Sequence, residues 1–446
     1  MRANVLIHLT IGLLLLSLIT IAGADTFTVD RFDDTTGATN CSVFIPNDCS
    51  LRGAIIKANQ DTAEDLIYLP AATYTLTLVG IYEDAAAQGD LDITEDLQIT
   101  GLHGGATIDG NSLDRVFQIM DNIDVTLKEL TITGGQTSGL AGTGGGGIMN
   151  SGTLNLHDCT LTGNSTHVVG GAIYNYGGWL ALHRTIVSAN ESETRGGGIF
   201  NDITSTLIIT DSTIGTANTA SGRGGGLFNE GTAFLARTTV NANSTQDGSI
   251  MSDSRGAGIY NEGTIEATNC SLMNNWANDD IGGAIYNRGS LNLTYVSFRD
   301  NFATSGDAIA YGPGGQTALS STLIVGFCTN GGGTVTSVGR SLESPSNTCS
   351  LTGPFDQVNV VDAMTEVEDF GGGTTIALLQ GSPAIDQGDT ATCPGTDQRN
   401  LTRPINGDGS PFAYCDIGAY EYLADLPIFS DGFESHDTFE WSSQTP

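Results

Sequence analysis

Gly146-Gly147-Ile148-Met149-Asn150 decides how the chain folds, because the phrase does not stand alone. It returns as Gly171-Ala172-Ile173-Tyr174-Asn175, Gly197-Gly198-Ile199-Phe200-Asn201 and Gly225-Gly226-Leu227-Phe228-Asn229, then as Ala257-Gly258-Ile259-Tyr260-Asn261 and Gly283-Ala284-Ile285-Tyr286-Asn287. Successive Asn positions are 25, 26, 28, 32 and 26 residues apart. A second phrase, apolar-x-x-Asn, follows each copy: Leu161 to Asn164, Val187 to Asn190, Val240 to Asn243, Leu272 to Asn275 and Phe298 to Asn301, with an irregular copy ending at Asn218. Between the phrases lie alternating stretches such as Thr153-Leu154-Asn155-Leu156 and Ser290-Leu291-Asn292-Leu293. Each period of about 26 residues therefore holds two or three short strands joined by Gly/Asn turns, with one apolar face.

One such unit cannot bury its own apolar face. Stacking units at the inter-strand spacing of about 4.8 Å gives each a neighbour above and below. A leucine-rich repeat lacks the Gly-Gly-x-x-x-Asn phrase, and a propeller blade needs about 40 residues. The reading is an all-β, right-handed parallel β-helix. Asn150, Asn175, Asn201, Asn229, Asn261 and Asn287 then form an inward ladder, each amide bonding the turn backbone of the next coil. A binding site should use residues that break the repeat.

Working outward, residues 66–135 continue the alternation less regularly, through Leu91-Asp92-Ile93, Leu97 to Thr100, Thr107 to Gly110 and Val125-Thr126-Leu127. Leu51, Ala54, Ile55 and Ala58 have helical spacing and predict a short N-terminal helix capping the solenoid. Arg2, the apolar run Val5 to Ile21 and Ala22-Gly23-Ala24 read as a cleaved signal peptide. The expected organisation is 1–24 signal peptide, 25–65 cap, 66–330 β-helix, 331–422 C-terminal coils and cap, and 423–446 polar tail outside the solenoid.

The chain has 16 Lys+Arg against 50 Asp+Glu, a formal net charge of −34. Nucleic acid and anionic headgroups need clustered cations, so neither is an expected partner. The surface suits solubility; no cofactor is implied, with calcium held by Asp side chains as the open alternative. Of eight cysteines, Cys41 with Cys49, Cys328 with Cys349 and Cys393 with Cys415 flank short loops and are proposed disulfides, although spacing alone does not set connectivity. Cys159 and Cys270 each precede a repeat Asn by five residues, with Thr185, Thr213 and Thr238 at the intervening equivalents. They share one inward column too far apart to bond, and are expected as buried free thiols.

Candidate chemistry is sparse. Asp279-Asp280 occupies a corner between repeats without an Arg-x-Lys or Gly-His-Gly partner. Arg184, Arg195, Arg223, Arg237, Arg255 and Arg288 are the basic residues from which a lyase would draw its base, but Arg195, Arg223 and Arg255 all precede the Gly phrase and read as a repeat-derived stack. The histidines (103, 157, 167, 183, 436) lack metal-ligand spacing on a common strand. Asn406-Gly407-Asp408-Gly409 looks like part of a calcium loop but has no acidic closing residue, and reads as a turn. Tyr176, Trp179 and Trp276 break the repeat, as packing residues or as a sugar-stacking platform.

Cys49-Ser50-Leu51-Arg52-Gly53-Ala54-Ile55 resembles the N-terminal Cys-Ser-Leu-Arg-Glu-Ala domain of secreted bacterial β-helix proteins, with Gly53 in place of the Glu. The Gly-Gly-Ala-Ile phrase and Phe298-x-x-Asn301 look like repeats of chlamydial polymorphic outer-membrane proteins, which are surface-displayed and implicated in adhesion. Ser382-Pro383-Ala384-Ile385-Asp386, Asp397-Gln398-Arg399, Arg403-Pro404 and Cys415 to Glu421 resemble the C-terminal region of the same bacterial family, whose members carry assorted anchors. Asp431-Gly432-Phe433-Glu434-Ser435 looks like a short terminal motif of secreted Gram-negative proteins. These resemblances imply export; together with the sparse candidate chemistry, the expectation is a monomeric, non-catalytic protein at the cell surface or outside it, without membrane insertion of the mature chain, contacting polysaccharide or another cell surface. The alternative is a polysaccharide lyase or glycoside hydrolase of the parallel β-helix type.

Overall fold

The computed structural model describes residues 23–81, 83–138, 144–246, 253–278, 280–370 and 373–423. The signal segment lies outside these apart from its last two residues, as does the tail apart from Leu423.

The chain is a right-handed parallel β-helix. One coil shows the plan. Ile148–Asn150 lies in a sheet here named D, Thr153–His157 in sheet A, Thr160–Thr162 in sheet B and Ser165–Thr166 in sheet C. Among the described residues sheet A has twelve strands, B eleven, C six and D ten. Pairing is parallel and residue for residue, so Asn150 stands beside Asn175, and Asn175 beside Asn201. Ile148, Leu154, Leu156 and Leu161 are buried, and their equivalents in the other coils make one continuous core. Between sheets A and B the chain turns through a residue in the left-handed region: Asp158, Arg184, Asp211, Arg237, Asn269 and Tyr295 in successive coils.

Asn150, Asn175, Asn201, Asn229 and Asn261 each donate from Nδ2 to the next ladder Asn Oδ1 at 2.8 Å. The same amides reach backbone carbonyls of the next coil, such as Trp179 O and Thr206 O, so the ladder bonds side chain and backbone together. Asn287 ends it on Thr317 Oγ1. A second ladder, Asn164, Asn190, Asn218, Asn243, Asn275 and Asn301, runs along the corner between sheets B and C. Asn218 joins despite its irregular phrase, because Thr216 and Ala217 both take left-handed conformations and absorb the extra residue.

That insertion corrects one detail of register. Ile186 pairs with Thr213 and Thr213 with Thr239, so Ser212, not Thr213, stands between Thr185 and Thr238 in the column of Cys159 and Cys270. Both cysteines are buried and free. Cys41–Cys49, Cys328–Cys349 and Cys393–Cys415 are disulfide-bonded.

The helix Leu51–Ala58 closes the N-terminal end of the core, its first turn capped by Ser50 Oγ accepting from Gly53 N at 3.0 Å. Arg52 is buried against Asp34 and donates to the carbonyls of Ala86, Gly89 and Asp90. Gly53 packs against the Ala38 carbonyl: a Cβ there would lie 2.0 Å from Ala38 O. Thr26–Thr28, inside the span read as cap, is already a strand of sheet A beside Asp65–Leu69. At the other end Glu343 points inward and accepts from the backbone of Thr348 and Cys349.

Stacking does not continue through residue 422. After the last sheet B strand, Leu342–Ser344, one partial coil places Gln357 in parallel beside Leu342; the chain then reverses and runs back along the outside of the solenoid. A hairpin of Thr365–Asp369 and Thr374–Leu378, followed by the segment to Glu421, lies over sheet B. Its apolar residues, among them Leu378, Ile385, Ile417 and Tyr420, bury Leu323 and Leu342. Gln398 Nε2 donates to Thr239 Oγ1, and Gln398 Oε1 accepts from Ser271 Oγ at 2.6 Å. Ala419 N donates to Ser297 Oγ. The polar residues of the C-terminal motifs build this clamp from within. Arg403, its side chain fully buried, donates to Glu421, Asn269, Asp416 O and Gly418 O and stacks on Tyr295. Asp397 accepts from the backbone of Arg399, Leu401 and Glu421.

Candidate functional site

The outward face of sheet B divides in two. Under the clamp, Thr239, Ser271 and Ser297 are buried. Beyond its edge the outward pairs Thr73/Thr75, Thr107/Asp109, Thr131/Thr133, Thr160/Thr162 and Ile186/Ser188 remain at the surface, their side chains forming two parallel columns. A cleft of about 870 Å³ opens where the two halves meet. Its floor runs from Ile186 through Thr213 to Thr239; one wall is the hairpin tip with Asp369 and Phe370, the other the Gln398–Asn400 loop and the A/B corner. The hairpin backbone at Gly373 lies over the floor, where a Cβ would be in ordinary van der Waals contact with Thr213 Oγ1 at 3.5 Å and Thr239 Oγ1 at 3.6 Å. This volume is typical of ligand sites.

The corner contributes charges that are already matched. Arg184 holds Asp158 through two bonds of 2.6 and 2.7 Å, and Arg237 holds Asp211 through 2.6 and 2.8 Å. Asn400 Nδ2 also donates to Asp211, at 3.2 Å. These arginines keep both carboxyl groups below the usual carboxylate range. His183 Nδ1 meets Thr210 Oγ1 at 2.9 Å, while Nε2 meets Arg184 Nη1. Both ring nitrogens and both guanidinium groups therefore have partners within the protein. The cleft offers a substrate hydroxyls, amides, a phenyl ring and the apolar edge of Ile186, but no basic group free of a partner among Arg184, Arg237 and His183.

The other candidates disperse. His157 and His183, one period apart, are register partners with ring centroids at 5.7 Å; their separation of one repeat was the signal that strand-by-strand inspection missed. Burial holds His157 below the ordinary histidine range, with the neighbouring His183 adding to the effect. His167 pairs with Glu193 at the surface. Arg195, Arg223 and Arg255 form a stack, each over a ring of the column outside sheet D: Phe228, Tyr260 and Tyr286. Asp279 lies outside the described residues. Asp280 lies 3.5 Å from Arg255 Nε, which is also 2.7 Å from Asp253, at the aromatic stack and away from the cleft. Arg288 pairs with Glu262. Trp179 is on sheet A and Trp276 on sheet C three coils further on, so these and Tyr176 do not make one platform, although all three are exposed. Asn406 to Gly409 is a turn whose amides are bound by Asp386 and by its own side chains. Among the described residues no group of three or more His, Cys, Asp or Glu converges as a metal site, and no helix is long and apolar enough to cross a membrane.

The fold and this flank define the molecule as a parallel β-helix with a clamped sheet. In comparison with solved structures, it is similar to "Crystal structure of pectate lyase Pel9A", with a TM-score of 0.53, 13% identity, and coverage of 91% of this chain and 98% of that one. At that identity the likeness shows the fold. No protein-family model matches the sequence, and no curated protein is similar to it.

Proposed function

We propose that the chain is an exported, non-catalytic β-helix protein of the secreted bacterial type with a Cys-Ser-Leu-Arg cap, and that it contacts glycan through the cleft and the open half of sheet B. The carrying observation is the composition of the cleft: hydroxyls and amides around Ile186 and Phe370, one carboxylate, Asp369, in the hairpin wall, and each arginine paired to a carboxylate. Sugars present just such alternation of hydroxyl edges and apolar ring faces. Three disulfides support an oxidising, extracellular location. A glycan array probed with the purified protein should retain neutral oligosaccharides, and Ile186→Arg should abolish that signal. An unchanged signal in this variant would place binding elsewhere.

The likeness to a pectate lyase favours a second reading, a uronate-polymer lyase using Arg184 or Arg237 as base. Incubation with polygalacturonate, with and without calcium, should release no unsaturated product. Product that disappears in Arg237→Gln would replace the first reading with the second.

A further inference from the structure

We propose that the cleft receives the end of a neutral glycan chain, the rest of which lies along the open columns of sheet B. This deepens the glycan reading and rests on it. The clamp makes the groove blind. Walking along sheet B from Thr131, the outward positions stay accessible through Thr160 and Ile186, reach the cleft at Thr213, and stop at Thr239. There the hydroxyl donates to Thr374 O at 2.6 Å and accepts from Gln398 Nε2, so backbone and side chain of the clamp seal the floor. A polymer following the columns cannot continue past this contact, whereas its terminus fits the space before it.

The occupant follows from chemistry. A polyanion would meet a chain of net charge −34 and two guanidinium groups already matched by Asp158 and Asp211. A protein partner would want an aromatic or aliphatic anchor surface, but the columns are Thr and Ser apart from Asp109, with Ile186 as the apolar exception. Hydroxyl columns repeating every coil, about 4.8 Å apart, suit a periodic chain of neutral sugars.

The test uses the full chain and calorimetry with linear malto-, cello-, xylo- and manno-oligosaccharides of two to eight units, long polymers of each, and cyclic glucans that have no ends. Linear members of at least one series should bind while cyclic glucans of the same linkage do not, and the long polymer should saturate at one protein per chain whatever its length. Thr160→Lys should weaken the longest oligomers about tenfold and leave the disaccharide unchanged; Phe370→Ala should weaken all lengths alike. Both positions are on the surface, outside the core. Binding of cyclic glucans, or stoichiometry rising with polymer length, overturns the chain-end assignment and leaves the glycan reading standing. Failure of every glycan to bind overturns both.

Discussion

At the scale of single residues, the polar interior is the unusual feature. A buried amide is costly unless bonded, and the ladder Asn residues between Asn150 and Asn287 solve this by using the neighbours above and below. Asn201 accepts from Asn175 and donates to Asn229 and Thr232 O. Asn201→Ala should leave Asn175 Nδ2 short of one partner and Asn229 Oδ1 without this one, destabilising by about 2–3 kcal/mol, read as a lowered urea midpoint. An unchanged midpoint would mean the ladder contributes register but little stability. Cys159 and Cys270 illustrate the opposite case, small apolar fillers at either end of a run of Thr185, Ser212 and Thr238 in the same column. Burial pushes both thiols up to about 12, removing the reactive thiolate at neutral pH. A thiol reagent should label none in the native protein and two after denaturation; native labelling would place either side chain at the surface.

At the scale of elements, two buried charge clusters stand out, one inside the clamp and one near the N-terminal cap. The clamp depends on Arg403, whose removal strands Glu421 in a dry site. Arg403→Met should cost about 3–5 kcal/mol, concentrated in the clamp, so that limited proteolysis releases the segment beyond residue 361 while the far-ultraviolet spectrum of the β-helix persists. Loss of the whole spectrum would show the two parts fold as one unit. Near the N-terminal cap, Asp90 and Asp92 are buried, with Arg115 Nε 2.9 Å from Asp90. Burial outweighs this pairing and pushes Asp90 up to about 8 and Asp92 up to about 7. These values exceed the unfolded 3.8, so between about pH 4 and 8 the folded chain holds more protons than the unfolded one. The associated stability is full below the unfolded value and is lost as pH rises through 7 to 8. Tm should therefore rise when pH is lowered from 8 to 5, and Asp92→Asn should flatten that rise. A Tm that falls over the same interval contradicts the assignment.

At the scale of the molecule, charge and shape act separately. The net charge of −34 keeps polyanions away, while Arg184 and Arg237 at the cleft are each matched by a carboxylate. Contact with a neutral glycan should thus change less than twofold between 50 and 500 mM salt, since no counterions are released. Affinity that collapses in salt would point to a charged ligand. The clamp sets how much of sheet B is available: it covers the C-terminal coils and leaves the N-terminal ones open, turning a uniform solenoid into one with a directional groove.

The sequence by itself determined the solenoid, its inward ladder and the N-terminal helix, because these depend on periodicity between neighbours one coil apart. Gly-Gly-Ile-Met-Asn predicts its own place in every copy, since each coil is the template for the next. Where the period slipped, at Thr216-Ala217, the prediction slipped by one residue. The position of the cleft was decided by tertiary structure. Gln398 meets Thr239 across 159 residues, and nothing periodic connects them. The motifs from Ser382 to Glu421 were visible as motifs, but their polar side chains could equally have faced solvent. Only the folded chain shows that they bond one another and sheet B, because a contact between a non-repeating segment and a repeating surface leaves no spacing in the sequence from which its register can be read.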